Sequence, residues 1–183
     1  MLTVCNNHIR VEGPHHEIRR FVAATTGRPA QYVGHKKEND NRNKYFCFNA
    51  FKPVPSRYLK EGEYLSSTPV RKTAEGFKIA KRISCGADWS WHNWTADCDV
   101  WDQKISADRM GYKRGCKQLY FCFSTFSCPP IRWLMDVFAK FPKLSFDIHY
   151  SLRDQFSFGI IQGRNGEYWE TETITEAPEE IFM

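Results

Sequence analysis

Leu144-Ser-Phe-Asp-Ile-His-Tyr150, then Phe156-Ser-Phe-Gly-Ile-Ile161, Asn165-Gly166 and Glu167–Ile174, is the stretch that decides the fold. In the first run, apolar and polar residues alternate with the two-residue period of a strand. Leu144, Phe146 and Ile148 therefore share one face, which must pack against a helix layer. The second run is its hairpin partner. Asn-Gly is the strongest short signal for a two-residue type I′ turn, because both central residues need positive φ. It leads into a last strand over 167–174. Strands this close in sequence pair antiparallel.

The cover for that face is legible upstream. Pro129-Pro130 opens a helix in which Ile131, Leu134, Met135 and Phe138 form one apolar stripe, and Phe141-Pro142 ends it. Gln118 to Thr125 reads as a strong strand. At the N-terminus a loosely alternating run, Thr3 to Val11, breaks at Gly13-Pro14. A helix follows with Ile18, Phe21 and Val22 on one face and Arg19 and Arg20 on the other. Residues 2–26 are thus a strand–turn–helix unit. Tyr45–Phe51 reads as a short buried strand closed by Pro53-Val-Pro55, and residues 76–83 as a strand or a short helix. Asp88 suits the N-cap of a helix through Trp89–Trp94. The pattern predicts an α+β fold: a two-layer sandwich, mainly antiparallel, with helices on one face.

Composition narrows the class. The 183 residues are 42 % hydrophobic and 15 % aromatic, enough to build one sizeable core and too much for disorder throughout. No run approaches the ~20 apolar residues of a membrane helix. The start has no charged segment followed by an apolar one, so a cytoplasmic protein is expected. Seven cysteines lie scattered, with no Cys-x-x-Cys pair, which argues against a zinc ribbon and a disulfide framework. They are expected to be thiols, with Cys116 and Cys122 in the core. Residues 1–82 hold 16 Lys/Arg against 7 Asp/Glu, whereas residues 167–183 hold six Glu and no Lys or Arg. That gradient fits a basic surface for an acidic partner, or plain solvation.

Four segments, in order, resemble one family. They are Asn6-Asn-His8-Ile-Arg-Val-Glu-Gly13-Pro14; Phe48-Asn-Ala-Phe-Lys-Pro-Val-Pro55; Trp91-His-Asn93-Trp94-Thr95 running to Trp101-Asp102; and Ser124-Thr-Phe-Ser-Cys-Pro-Pro130. The chain is similar over about residues 2–165 to the YubB-like group of phage- and plasmid-borne proteins with a ferredoxin-like domain. In that family's Asn-Trp-Gly-Thr-Lys-Trp signature the last tryptophan follows closely. Here Thr95-Ala-Asp-Cys-Asp-Val100 intervenes before Trp101. The resemblance implies a ferredoxin-like fold and a mobile-element origin, and carries no activity. It gives a single domain over 1–174, made of the unit 2–26, a basic loop at 28–44 and a ferredoxin-like part at about 76–174. Residues 175–183 form an acidic tail.

Candidate sites follow from residue chemistry. His92, Asp97, Cys98, Asp99 and Asp102 are near one another, yet lack any recognised ligand spacing, so no metal and no cofactor are expected. There is no Gly-x-Ser-x-Gly elbow and no phosphate-binding Gly-Lys-Ser/Thr loop. His15-His16 at a helix start are general acid–base candidates for a metal-independent ribonuclease, with a Lys or Tyr beside one of them. Arg19, Arg20, Arg28, Lys36, Lys37, Arg42 and Lys44, interleaved with Tyr32 and Tyr45, suit direct binding of single-stranded nucleic acid. Tyr58, Trp133, Tyr168-Trp169 and the tryptophan cluster are residue types that dominate protein interfaces. Trp91 and Trp94 are expected in the core, and Trp89 and Trp101 at its exposed edge.

The leading expectation is a non-enzymatic accessory protein of a phage or plasmid, anti-CRISPR-like. It binds and blocks a host protein or protein–nucleic acid complex through Lys36, Lys37, Arg42, Lys44, Trp89, Trp101, Asp97 and Asp99. Direct single-strand binding and the ribonuclease stand as alternatives.

Overall fold

The computed structural model describes residues 4–30, 45–59, 71–73, 76–78, 85–96, 98–100, 110, 112–152 and 157–174. In chain order the elements are β1 (Val4–Glu12), α1 (His15–Thr25), β2 (Thr26–Gly27), β3 (Tyr45–Phe46), α2 (Phe48–Phe51), β4 (Arg71–Thr73), β5 (Gly76–Lys78), α3 (Gly86–Trp94), β6 (Gln118–Phe126), α4 (Ile131–Lys140), β7 (Ser145–Leu152), β8 (Ser157–Arg164) and β9 (Glu167–Ile174). Five of the strands form one antiparallel sheet in the order β6-β1-β7-β8-β9. The fold is α+β.

The C-terminal meander is as the alternation predicts. Ile148 lies opposite Ile161, and Arg164 opposite Glu167 across the turn. Asn165 and Gly166 have φ of 55° and 81°, the pair of positive values that a type I′ turn requires. The N-terminal strand is no appendage to this meander. β1 lies between β6 and β7, antiparallel to both, so it fills the gap in the β6–α4–β7 connection.

One face of the sheet is the core. Ile9 and Val11 of β1, Leu119, Phe121 and Phe123 of β6, Phe146 and Ile148 of β7 and Ile161 of β8 are all buried. Helices pack on that face through aromatic rings. Phe21 of α1 meets Phe146 edge-on at 5.6 Å, and Phe138 of α4 lies 5.0 Å from Phe146. Leu144, Phe146 and Ile148 all point inward, as their spacing predicts.

Three sequence expectations shift. The segment Tyr45–Phe51 is a strand only over Tyr45–Phe46, after which Phe48–Phe51 turns into α2. The buried carboxylate of Asp99, remote in sequence, supplies the helix-start acceptor that the segment itself lacks. In α4 the buried stripe is Trp133, Leu134, Val137 and Phe138, while Met135 is exposed. The helix is rotated because the Trp133 indole reaches the middle of the core. Asp88 sits in the first turn of α3 rather than at its cap; Cys85 is the N-cap, and its sulfur accepts from the Asp88 N–H.

Of the inward positions of β8, Ser157, Gly159 and Gly163 are small, and the sheet uses both glycines. A Cβ on Gly159 would lie 2.5 Å from the Tyr150 ring, and one on Gly163 would lie 2.5 Å from the Phe138 ring. Both rings rest directly on the strand backbone. Gly163→Ala is expected to destabilise the protein by about 2 kcal/mol, because Phe138 cannot retreat from a close-packed core. Urea unfolding measures it; an unchanged midpoint would show that Phe138 has room to move.

Candidate functional site

The opposite face of the sheet is uncovered among the described residues. Antiparallel sheets commonly leave one face to water, and such faces are usually polar. This one carries large apolar side chains: Tyr120 is 56 % exposed, Trp169 53 %, Phe158 45 % and Ile160 37 %. The register arranges them in rows. Tyr120, Arg10, Asp147, Gln162 and Trp169 form one row across all five strands. Cys122, His8, His149, Ile160 and Thr171 form the next. With strands ~4.8 Å apart, Tyr120 and Trp169 stand about 19 Å apart at opposite edges.

Polar contacts lace the rows. Arg10 Nη2 lies 3.3 Å from Asp147 Oδ2, and Arg10 Nε lies 3.6 Å from Glu12 Oε1. Gln118 Nε2 donates to Glu12. His149 Nε2 is 3.4 Å from Asp147 Oδ1, an oxygen that is covered and accepts no hydrogen bond from any described residue. Cys122, expected in the core, is exposed instead, with its sulfur 3.1 Å from His8 Nδ1. It occupies an outward position of β6 between the inward Phe121 and Phe123. Desolvation pushes its thiol pKa up, which disfavours the thiolate a nucleophile needs.

One end of this face is basic. The start of β6, the start of β7 and the β8–β9 turn converge beside the end of β1. Gly13 makes this possible: its N–H donates to Lys117 O at 3.0 Å, and a Cβ there would lie 2.9 Å from Lys143 O. Lys113, Arg114, Lys117, Lys143 and Arg164 are all exposed at this end, with Arg10 next to them on the face. The carboxylates nearby are Glu12, Asp147 and Glu167. A recess of about 260 Å³ opens there, lined in part by Arg10, Asp147, Gln162, Arg164 and Trp169.

The residues nominated from sequence lie elsewhere. Lys36, Lys37, Arg42, Lys44, Asp97 and Trp101 fall outside the described residues. Trp89 is half-buried and stands edge-on to Trp94 at 5.5 Å. Trp94 is fully buried and donates to Lys52 O at 3.1 Å, whereas Trp91 is 41 % exposed. The expected assignment of Trp89 and Trp91 is therefore reversed, because α3 turns the Trp89 side, not the Trp91 side, against Trp94.

Asp99, expected at a binding surface, is completely buried. Its Oδ1 accepts from the N–H groups of Phe48 at 2.6 Å and Val100 at 2.8 Å. Its Oδ2 accepts from Asn49 at 3.0 Å and Ala30 at 3.2 Å. The carboxylate caps α2 and ties it to the end of the α1–β2 segment. Burial pushes its pKa up, to about 6, against the four N–H donors that favour the anion.

His15 Nδ1 contacts Cys116 O at 3.3 Å and its ring stacks on Tyr112, while His16 Nε2 lies 3.4 Å from Glu17. Among the described residues no three His, Cys, Asp or Glu side chains converge as metal ligands. None of their helices is long and apolar enough to cross a membrane. The open face itself went unread in the sequence, apart from Trp169. Its signal was the outward half of each alternating strand, where Tyr120, Phe158 and Ile160 stand in positions that usually hold polar residues.

No family model and no curated protein matches the chain. One solved structure is similar, described as protein api92 from Yersinia pseudotuberculosis, family-model DUF1281. It is 10 % identical with a TM-score of 0.45, over 97 % of this chain and 99 % of the other.

Proposed function

We propose that this chain is a non-enzymatic protein that binds single-stranded nucleic acid on the open face of its sheet. The observation that carries this reading is the exposure of Tyr120, Phe158 and Trp169 on the same face, at whose end Lys113, Arg114, Lys117, Lys143 and Arg164 gather. Unstacked bases need flat aromatic surfaces, and the phosphates between them need cations; the face offers both. The β6–α4–β7 unit, with β1 between its strands, supports a ferredoxin-like reading of the sheet. A mobile-element protein of this kind acts on its host by competing for a strand that a host nucleic-acid-handling complex also holds.

Fluorescence anisotropy with a labelled ten-nucleotide uridine strand tests it. The wild type binds, with an affinity that falls as salt rises, by a log–log slope of about −2 if three phosphates are neutralised. Tyr120→Ala and Trp169→Ala each weaken binding about ten-fold. Trp91→Ala, exposed on α3 and away from this face, does not. Absence of binding at low salt, or equal loss with Trp91→Ala, sinks the proposal.

A further inference from the structure

We propose that His8 and His149 form a phosphate-holding pair at the middle of the single-strand site, so that strand binding tightens as both become protonated. The inference rests on the function proposed above. The two residues lie directly opposite each other on β1 and β7, and both are exposed on the open face. They stand between Cys122 of β6 and Ile160 of β8, in the row next to the one that ends in Tyr120 and Trp169. A strand stacked on those two rings therefore crosses the sheet beside the pair.

The permanent charges in the middle of the face do not suit a phosphate. Arg10 is in ion-pair range of two carboxylates, 3.3 Å from Asp147 Oδ2 and 3.6 Å from Glu12 Oε1. Arg164 stands opposite Glu167 across the β8–β9 turn. Among the described side chains at outward strand positions, Arg10 and Arg164 thus stand against Glu12, Asp147 and Glu167. The face is one charge negative while His8 and His149 are neutral, and one charge positive once both are protonated. Lys113, Lys117 and Lys143, which favour phosphate, lie at the end of the sheet and not at its middle. Histidine is the side chain that changes charge between about pH 5 and pH 8.

Each ring keeps one nitrogen for a ligand. His8 Nδ1 faces Cys122 Sγ at 3.1 Å, and His149 Nε2 faces Asp147 Oδ1 at 3.4 Å. His8 Nε2 and His149 Nδ1 have no hydrogen-bond partner among the described residues. Directly paired residues of an antiparallel sheet have Cβ atoms about 5 Å apart, so two imidazolium rings at these positions are within reach of one phosphate. The titratable and charged groups around the pair are Tyr120 and Cys122 on β6, Arg10 on β1 and Asp147 on β7, and β8 contributes none. Desolvation pushes the Cys122 thiol up, which keeps it neutral through this window. Arg10 is the one cation of the set, and it is already paired with Asp147 and Glu12.

The test is anisotropy at about pH 5 and about pH 8 with the same labelled uridine strand, whose bases do not titrate in this window. At low salt the wild type is expected to bind about five-fold tighter at the acid end. Its log–log salt slope is steeper there by about 0.7, the value for one more phosphate of a single strand. The double variant His8→Gln/His149→Gln keeps the affinity found at the alkaline end and loses both changes, and each single variant loses part of them. Asp99 titrates in the same window, but it and every other acid remain in the double variant, so the difference between the two proteins belongs to the histidines. A wild type whose affinity and slope do not change with pH, or an acid gain kept in full by the double variant, overturns the histidine pair while leaving single-strand binding intact. No binding at either pH overturns both readings. Thermal melting of each variant at both pH values distinguishes a lost contact from a lost fold.

Discussion

Asp99→Ala is expected to lower the stability by about 4 kcal/mol, because it removes the fully buried acceptor shared by four N–H groups. The carboxylate accepts from Ala30, Phe48, Asn49 and Val100, which belong to three separate stretches of chain. At about 1–3 kcal/mol per unsatisfied donor, even partial hydration of the vacated site leaves a loss of this size. For a chain of 183 residues it corresponds to a melting temperature lower by about 10 °C. The pH dependence gives a second readout. The folded pKa of about 6 lies above the ordinary 3.8, so Asp99 contributes stability that is fully present below about pH 4 and is lost as pH rises through 6. The difference amounts to about 3 kcal/mol. Denaturation of the wild type between pH 4 and 7 should show it as a gain on acidification that Asp99→Ala lacks. Parallel pH profiles for the two proteins would show that Asp99 ionises as freely in the fold as in the open chain.

The three-strand C-terminal meander, β6, α4 and the β1–α1 unit were all legible from the sequence, since each rests on local periodicity or on turn chemistry. Asn165-Gly166 admits few backbones, and Leu144, Phe146 and Ile148 admit one face. What escaped were arrangements set by distant partners. Nothing local says that Phe48–Phe51 should leave a strand for a helix; the reason is a carboxylate fifty residues away. Nothing local chooses Trp133 over Met135 for the interior of α4, since the spacing alone puts Met135 in the apolar stripe; the choice is made by Phe46, Phe48 and Phe51, which the indole meets.

The candidate site was missed for a related reason. Charge runs and the tryptophan cluster stand out along the chain. The open face stands out only across it. Tyr120, Arg10, Asp147, Gln162 and Trp169 come from five strands and become neighbours only through the pairing register. Each strand showed its inward half as a fold signal. The outward half held the aromatic residues, and its meaning depends on β1 lying between β6 and β7, an order the local pattern does not contain. Within the tryptophan cluster, by contrast, Trp89 and Trp94 serve to dock α3. Trp94 bonds to Lys52 O, and the end of the helix is held by Arg132, whose guanidinium donates to His92 O and whose backbone N–H donates to Thr95 Oγ1.

Trp133→Ala is expected to cost about 4 kcal/mol, the usual loss for a large aromatic removed from a core. The side chain is fully buried, edge-on to Phe46 at 5.7 Å and Phe51 at 5.7 Å, and tilted against Phe48 at 4.8 Å. Its Nε1–H donates to Phe48 O at 3.3 Å. Trp133→Phe separates the two contributions: it keeps most of the apolar area and loses the hydrogen bond, so it should cost about 1–2 kcal/mol. The same peptide unit region is held from the other side, where Asp99 accepts from the Phe48 N–H. Phe48 is thus clamped at its N–H by one residue and at its C=O by another, and α2 depends on both. If α2 leaves its position when either clamp is lost, the second loss costs less than the first. The double variant Asp99→Ala/Trp133→Ala should then fall short of the sum of the single variants by at least 1 kcal/mol. Additive losses in urea unfolding would show instead that α2 keeps its place on one clamp alone, with Trp133 acting only through the rings it touches.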